Sequence, residues 1–271
     1  MKGPTSSAEP LLHASGVTFA YTDCPVLRDV AVALTPGEVV ALIGPNGSGK
    51  STLLKALLGH VHASGAIRWT GRELRKWGRR ELARLVAYLP QSPTHDPDHR
   101  VADVLSLGRS PYWSVFGLES RRDVEVVQRV ATQLDVADLL DRRMDELSGG
   151  QRQRIFIGRC LAQEPRAMLL DEPNTFLDLR YQVELFGLLR RLAKDQSIGV
   201  LVASHDLNLA AAHADRLVLL DEGVVAATGD AHAVLDPVLL SRVYGVRVER
   251  VTGDDRDAAP VIVARLPISG A

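Results

Sequence analysis

The sequence predicts an α/β fold, and two observations carry that prediction. A glycine-rich stretch, Gly44 to Thr52, stands between Glu38-Val39-Val40-Ala41-Leu42-Ile43, an apolar run of buried-strand length, and the helix-prone Leu53 to Leu58. Further apolar runs of strand length recur at 85–90, 167–171 and 198–203, with helical segments between them. The 271 residues suffice for one large domain or two small ones, and an apolar content of 46% can build a sizeable core. No internal repeat and no low-complexity segment interrupts the chain.

The glycine-rich stretch reads Gly44-Pro45-Asn46-Gly47-Ser48-Gly49-Lys50-Ser51-Thr52, which fits G-x-x-x-x-G-K-[ST] at every fixed position. Glycines let the backbone turn tightly and aim successive N–H groups at an anion. The helix that follows adds its free N–H groups and the positive end of its dipole. Lys50 is then expected to reach the β- and γ-phosphates of a nucleotide, and the Ser51 hydroxyl to enter a Mg²⁺ shell. A plain glycine turn before an ordinary helix would not need this spacing.

Upstream, Leu11 to Tyr21 and Val26 to Leu34 read as strands joined by a turn at Thr22 to Pro25. Tyr21 is either a half-buried strand aromatic or a platform for a nucleotide base. Downstream, Gly65 to Gly71 reads as an edge strand. Arg72 to Arg84 is strongly basic, and a solvated helix face fits it better than a nucleic-acid patch. Gln91 follows the strand Leu85 to Pro90, where its amide could reach a metal or an attacking water. The His and Asp residues of Ser92 to Arg100 lie in a proline-broken loop, which favours a surface loop over a metal site. Val101 to Gly108 and Asp123 to Leu140 have helical spacing. Tyr112, Trp113 and Phe116 between them suit either a docking surface or a small local core.

Leu147-Ser148-Gly149-Gly150-Gln151-Arg152-Gln153-Arg154 leads into a helix from Ile155 to Gln163. It offers a capped helix N-terminus, and with it a second anion site. Such a site has a use if two copies of the chain meet across a nucleotide. Ala167 to Asp171 is an apolar strand ending in two acids. Asp171 would hold the Mg²⁺ shell, and Glu172, turned the other way by strand alternation, would deprotonate water. A helix over Leu179 to Lys194 and a strand over Ile198 to Ala203 follow. His205, after that strand, either neighbours a helix cap or faces the γ-phosphate. Arg216 to Asp221 and Val224 to Thr228 form a hairpin, Ala231 to Val243 a helix, and two terminal strands close the chain.

The totals narrow the function. A net charge of −1 gives no reason to expect nucleic acid as the main partner. Cys24 and Cys160 form neither CxxC nor metal spacing, which fits a reduced compartment. Met1 to Ser7 is polar with no apolar signal core, and no apolar run is long enough to span a bilayer. A membrane role is therefore expected to run through a partner.

With these motifs in order, the chain resembles the ATP-binding subunit of an ABC transporter from about Leu11 to Val251. The resemblance rests on the aromatic Tyr21, the phosphate loop and the Q-loop Gln91. It rests equally on the signature Leu147 to Gln151, the Walker B run Met168 to Glu172, the D-loop ending at Asp178 and the switch His205. It implies a RecA-like P-loop NTPase core over 1–240, with an N-terminal antiparallel β-subdomain and an α-helical subdomain inserted at about 92–150. The extension 241–271 would pack on that core.

The implied site uses ATP and Mg²⁺. Glu172, His205, Lys50 and Gln91 would be catalytic, and Ser51, Gln91 and Asp171 would serve the metal. Tyr21, Gly44, Pro45, Asn46, Gly47, Ser48, Gly49, Lys50, Ser51, Thr52, Ser148, Gly149, Gly150, Gln151 and Asp178 would line the nucleotide. Two copies would close face to face and drive a permease that receives cargo from a binding protein, at the cytoplasmic face of the membrane. No nucleic acid is implied. Asp-Glu-Pro-Asn-Thr-Phe-Leu-Asp at 171–178, Gly108 to Tyr112, Ser204 to Asn208 and Val243 to Val246 resemble importers of ferric siderophore, haem and cobalamin, with ferric siderophore first. A soluble ABC ATPase of the iron–sulfur cluster assembly type and a catalytically silent regulatory module are the competing classes.

Overall fold

The computed structural model describes residues 9–22, 24–94, 96–114, 117–175, 177–251 and 259–265. β1 (Leu12–Tyr21) and β2 (Cys24–Leu34) pair antiparallel, so Cys24 and Pro25 begin a strand rather than ending a turn. β3 (Val39–Ile43) is buried at every residue and leads through the phosphate loop into α1 (Lys50–Leu57). β4 (Ser64–Trp69) and β5 (Arg72–Glu73) complete a first sheet of order β2-β1-β4-β5. β4 is thus flanked on both sides instead of forming an edge.

The basic stretch after β5 is not one helix. A 3₁₀ turn at Leu74–Lys76 precedes α2 (Arg79–Leu85), and the extended Trp77 and Gly78 separate them. Arg79, Arg80 and Arg84 are exposed on α2, as a solvated helix face requires, and the Nε atoms of Arg80 and Arg84 also donate to the Pro111 carbonyl at 2.8 and 2.9 Å.

β6 (Val86–Leu89) follows α2. The helices α3 (Val101–Leu107), α4 (Arg121–Gln133) and α5 (Gly149–Ala162) come next. α4 ends seven residues short of the expected Leu140, because Asp135 adopts a left-handed φ of 55° and turns the chain. β7 (Ala167–Asp171), β8 (Gly199–Ala203), β9 (Arg216–Asp221) and β10 (Val224–Gly229) join β3 and β6 in the second sheet, with α6 (Leu179–Gln196) and α7 (Leu207–His213) between successive strands. Its order is β10-β9-β3-β8-β7-β6, parallel except for β10.

The expected helix from Ala231 to Val243 is two: α8 (Ala231–Val234) and α9 (Pro237–Tyr244). Asp236 caps α9 and Pro237 starts it, since proline suits a first helical turn and ends a preceding one. β11 (Arg247–Val251) and β12 (Val261–Arg265) form a hairpin; Leu266, expected in the last strand, lies outside the described residues.

Strand alternation divides the core between the two faces of the large sheet. Val39, Ala41 and Ile43 of β3 join Met168 and Leu170 of β7 in a cluster with α3 to α7. Val40 and Leu42 join Leu169, Leu201 and Leu220 in a second cluster, where Leu53, Leu54 and Leu57 wedge α1 against the first sheet. Parallel strands buried on both faces read as continuous apolar runs, which is why β3, β7 and β8 were legible in the sequence. No helix among the described residues is long and apolar enough to cross a membrane.

Candidate active site

The phosphate loop leaves the C-terminal end of β3, the place where open α/β sheets gather their ligands. Gly44 turns it at φ +148°, and a Cβ there would stand 2.2 Å from the Leu220 carbonyl. Only glycine fits that turn. Ser48 is buried with its hydroxyl unpartnered among the described residues, a buried polar atom aimed into the loop. Lys50 is 5% exposed and folds its ammonium back onto the carbonyls of Gly44 and Pro45, at 2.8 and 3.0 Å. Burial lowers its pKa, and the Glu172 and Asp171 charges partly offset that effect. Asn46 and Gly47 lie on the outer turn of the loop, Gly49 caps α1, and Thr52 sits in its first turn.

The acids stand opposite. The Ser51 hydroxyl donates to Asp171 Oδ1 at 2.9 Å. The buried Asp171 carboxyl is pushed above its ordinary range by burial, against the Ser51 bond and with the Glu172 charge adding to it. Glu172 lies just past β7 in a left-handed turn, φ 48°, so its direction comes from that turn and not from strand alternation. The turn aims its carboxylate at three neighbours. Gln91 Nε2 donates to Glu172 Oε2 at 3.0 Å, Thr175 Oγ1 lies 3.5 Å away, and His205 Nδ1 lies 3.6 Å away. Thus β6, β7 and β8 deliver Gln91, Glu172 and His205 to one point.

The remaining expected residues are more peripheral. Tyr21 is 49% exposed at the end of β1 and meets Phe19 edge-on at 4.7 Å. Asp178 caps α6 by accepting from the Tyr181 N–H at 3.0 Å. Ser148 caps α5: its hydroxyl accepts from Gln151 N–H at 3.2 Å, and the Gln151 side chain returns to Ser148 N–H at 3.0 Å. This signature turn therefore satisfies two of its own amides, those of Ser148 and Gln151, instead of leaving them all bare.

Tyr112 stacks on the Arg109 guanidinium at 4.0 Å, with its hydroxyl donating to the Gln163 carbonyl. That is the local core and not an exposed docking face; Phe116 lies outside the described residues, as does His95. Tyr88 was not singled out in the sequence. Its buried hydroxyl, pushed up to about 12 by burial and by the neighbouring Asp171 carboxylate, stands beside the acid that Ser51 also touches. Only its position on β6, three residues before Gln91, hinted at this.

Among the described residues no cluster of three His, Cys, Asp or Glu side chains can hold a metal alone. Ser51, Asp171 and Gln91 suit Mg²⁺, which is held through one or two carboxylates and completes its shell with phosphate oxygens and water. The unpartnered Ser48 hydroxyl, the buried Lys50 ammonium and the amides of a turn only glycine allows form a cradle for phosphate.

Residues 27–175 match the family model for the ABC transporter. The chain belongs to the ABC transporter family. It is 40% identical to the hemin import ATP-binding protein of Burkholderia thailandensis, over 93% of this chain and 99% of that one. It is 37% identical to the iron(3+)-hydroxamate import ATP-binding protein of Bacillus subtilis, over 92% and 93%. Among solved structures it is similar to an inward-facing ABC transporter provisionally assigned to the metal-chelate type. The TM-score there is 0.84 at 27% identity, covering 95% of this chain and 98% of that one. As an ABC ATP-binding subunit the chain is an ATPase.

Proposed function

We propose that this ABC ATPase powers import of an iron chelate through a separate permease, with ferric siderophore as the cargo class. The observation that carries the ATPase chemistry is the convergence of Gln91, Thr175 and His205 on the Glu172 carboxylate, with Ser51 bonded to the preceding acid. Metal-chelate import is supported by the names of the relatives, two of which act on hemin and iron(3+)-hydroxamate. Haem is the second reading, favoured by a further hemin import relative, from Rhodococcus jostii, at 42% identity.

In this reading Lys50 turns from its own loop's carbonyls to the β- and γ-phosphates of ATP. Ser51, Asp171 and Gln91 hold Mg²⁺, which neutralises charge developing on the phosphates. Glu172 orients the attacking water and takes its proton, and His205 donates to the γ-phosphate. Tyr21 stacks on the base. Two copies close so that Ser148, Gly149, Gly150 and Gln151 of each cover the other's nucleotide, with Asp178 at the seam.

Residues 1–240 form the ATP-binding domain with its helical insertion at about 92–150, and 241–271 an extension on it. The subunit sits peripherally at the cytoplasmic face of the membrane, and a binding protein delivers cargo on the far side. A cleft of about 1110 Å³ lined by His60, Leu74, Trp77, Tyr88 and Gln163 supports a seat for a permease segment. The test is purification of the tagged chain from membranes, followed by uptake of labelled ferric siderophore, haem and cobalamin into cells carrying or lacking the gene. Recovery with a soluble scaffold in place of a polytopic partner would overturn the reading; uptake of haem alone would replace siderophore.

A further inference from the structure

The C-terminal hairpin is bonded to the helix that follows His205. Asn208 lies in the first turn of α7, three residues after that histidine. Its side-chain amide pairs with both backbone groups of Ile262 on β12. Nδ2 donates to the Ile262 carbonyl at 3.1 Å, and Oδ1 accepts from the Ile262 N–H at 2.8 Å. A residue in an antiparallel pair turns both backbone groups toward its partner strand or both away. The amide of Asn208 therefore imitates a peptide group of a further strand, on the side of β12 that faces away from β11. The Ile262 side chain is buried in the same core cluster as Leu209, Ala210 and Ala211 of α7.

The hairpin is held on its other strand too. The Val248 N–H donates to Ser241 Oγ at 2.9 Å, joining β11 to α9. Arg250 donates through one Nη to the His232 and Leu235 carbonyls, both at 2.9 Å, joining β11 to α8. β11 and β12 thus bridge α7 to α8 and α9.

The bridged end of α7 is the end next to the chemistry. Asp206 caps the helix by accepting from the Leu209 N–H at 2.9 Å, and Ser204 Oγ accepts from the Asp206 N–H at 3.1 Å. These bonds set the backbone on either side of His205, whose Nδ1 lies 3.6 Å from Glu172 Oε2. The His205 side chain is 51% exposed, so its place follows from the backbone that carries it more than from packing around the ring.

We propose that Asn208 is a positioning residue for His205: by tying the first turn of α7 to β12, it makes the C-terminal hairpin a brace on that histidine. This rests on the reading of His205 as the group that faces the γ-phosphate. Asn208→Leu keeps the size and removes both bonds. Ile262→Pro removes the N–H of the other partner and costs β11 no ladder bond, because that N–H points away from β11. In the full chain each variant is expected to lower kcat for ATP hydrolysis about fivefold, with the MgATP Kd within about twofold of the parent, since the phosphate loop leaves a different strand. Added to His205→Ala, Asn208→Leu is expected to lower the residual single-turnover rate no further, because the group it positions is gone. A kcat within about twofold of the parent in both variants, or an equal loss from Asn208→Leu in the His205→Ala background, would overturn the proposal and leave Asn208 holding the hairpin alone. Undiminished hydrolysis by His205→Ala would instead sink the reading of His205 at the γ-phosphate, and the brace with it.

Discussion

Gln91 Nε2 donates to Glu172 Oε2 at 3.0 Å, so the residues that follow two neighbouring parallel strands share one proton-accepting group. His205 reaches the same oxygen from the next strand. A carboxylate held this way, with one oxygen fixed by an amide, presents its other oxygen to a water. Glu172→Gln removes the proposed base while keeping the shape. Phosphate release is expected to fall by about 10²–10⁴, with ATP binding intact and an ATP-bound dimer persisting on size exclusion. Undiminished hydrolysis would remove Glu172 from the role of base.

Ser51 and Asp171 clasp each other at 2.9 Å where a hydroxyl and a carboxylate can together grip a cation. Ser51→Ala takes away one ligand and leaves the acid. The Mg²⁺ concentration for half-maximal phosphate release is expected to rise roughly tenfold, since a contact to a charged centre is worth about 1.5–3 kcal/mol. A chelator is expected to abolish release in the parent protein. A metal titration that does not move with Ser51→Ala would place the cation elsewhere.

The site was legible because its chemistry sits in short local motifs at strand ends: Gly44 to Thr52, Gln91, Asp171-Glu172 and His205 all follow β-strands readable as apolar runs. What the sequence hid was tertiary. Glu172 points where it does because of a left-handed turn, and no alternation rule predicts that. Tyr88 was not singled out in the sequence, and only packing set its hydroxyl beside Asp171. Helical spacing ran on through Asp135 and Leu235 because apolar periodicity continues past a residue whose backbone has already left the helix. Arg109 figured only within the segment Gly108 to Tyr112, and nothing in its neighbours announced that it is 1% exposed.

Arg109 holds the helical region together. Its Nε donates to Asp123 Oδ1 at 2.9 Å, and one Nη to the Ala162 carbonyl and to Glu164 at 2.6 and 2.9 Å. Asp123→Asn leaves this buried guanidinium short of a counter-charge and is expected to cost about 3 kcal/mol in chemical denaturation. Burial alone would raise the Asp123 pKa; the Ser120 backbone N–H, Arg109 and the Ser120 hydroxyl outweigh it and hold it below the usual range. A lowered carboxyl pKa gives stability that is present above the unfolded value and lost as pH falls through the folded one. The parent is therefore expected to lose stability below about pH 4, and Asp123→Asn to show a shallower acid slope. Parallel slopes would refute the assignment.

The signature turn and the D-loop are fastened to each other inside one chain. A Cβ on Gly150 would stand 2.7 Å from Tyr181 Cδ1 and 2.8 Å from Cε1, and Tyr181 N–H donates to Asp178 Oδ1. The atoms in the way belong to the body of a ring, so a methyl must push Tyr181 and, with it, the first turn of α6. In the proposed dimer both elements face the partner's nucleotide, while the chain's own phosphate loop lies on β3 and is untouched by that shift. Gly150→Ala is therefore expected to leave ATP binding to the monomer unchanged. In a Glu172→Gln background it is expected to weaken ATP-driven dimerisation by about tenfold, near 1.4 kcal/mol, measured by analytical ultracentrifugation. If the monomer lost ATP affinity and the dimer constant stayed put, the signature turn would belong to the nucleotide site of its own chain, and the two-copy arrangement would have to be abandoned.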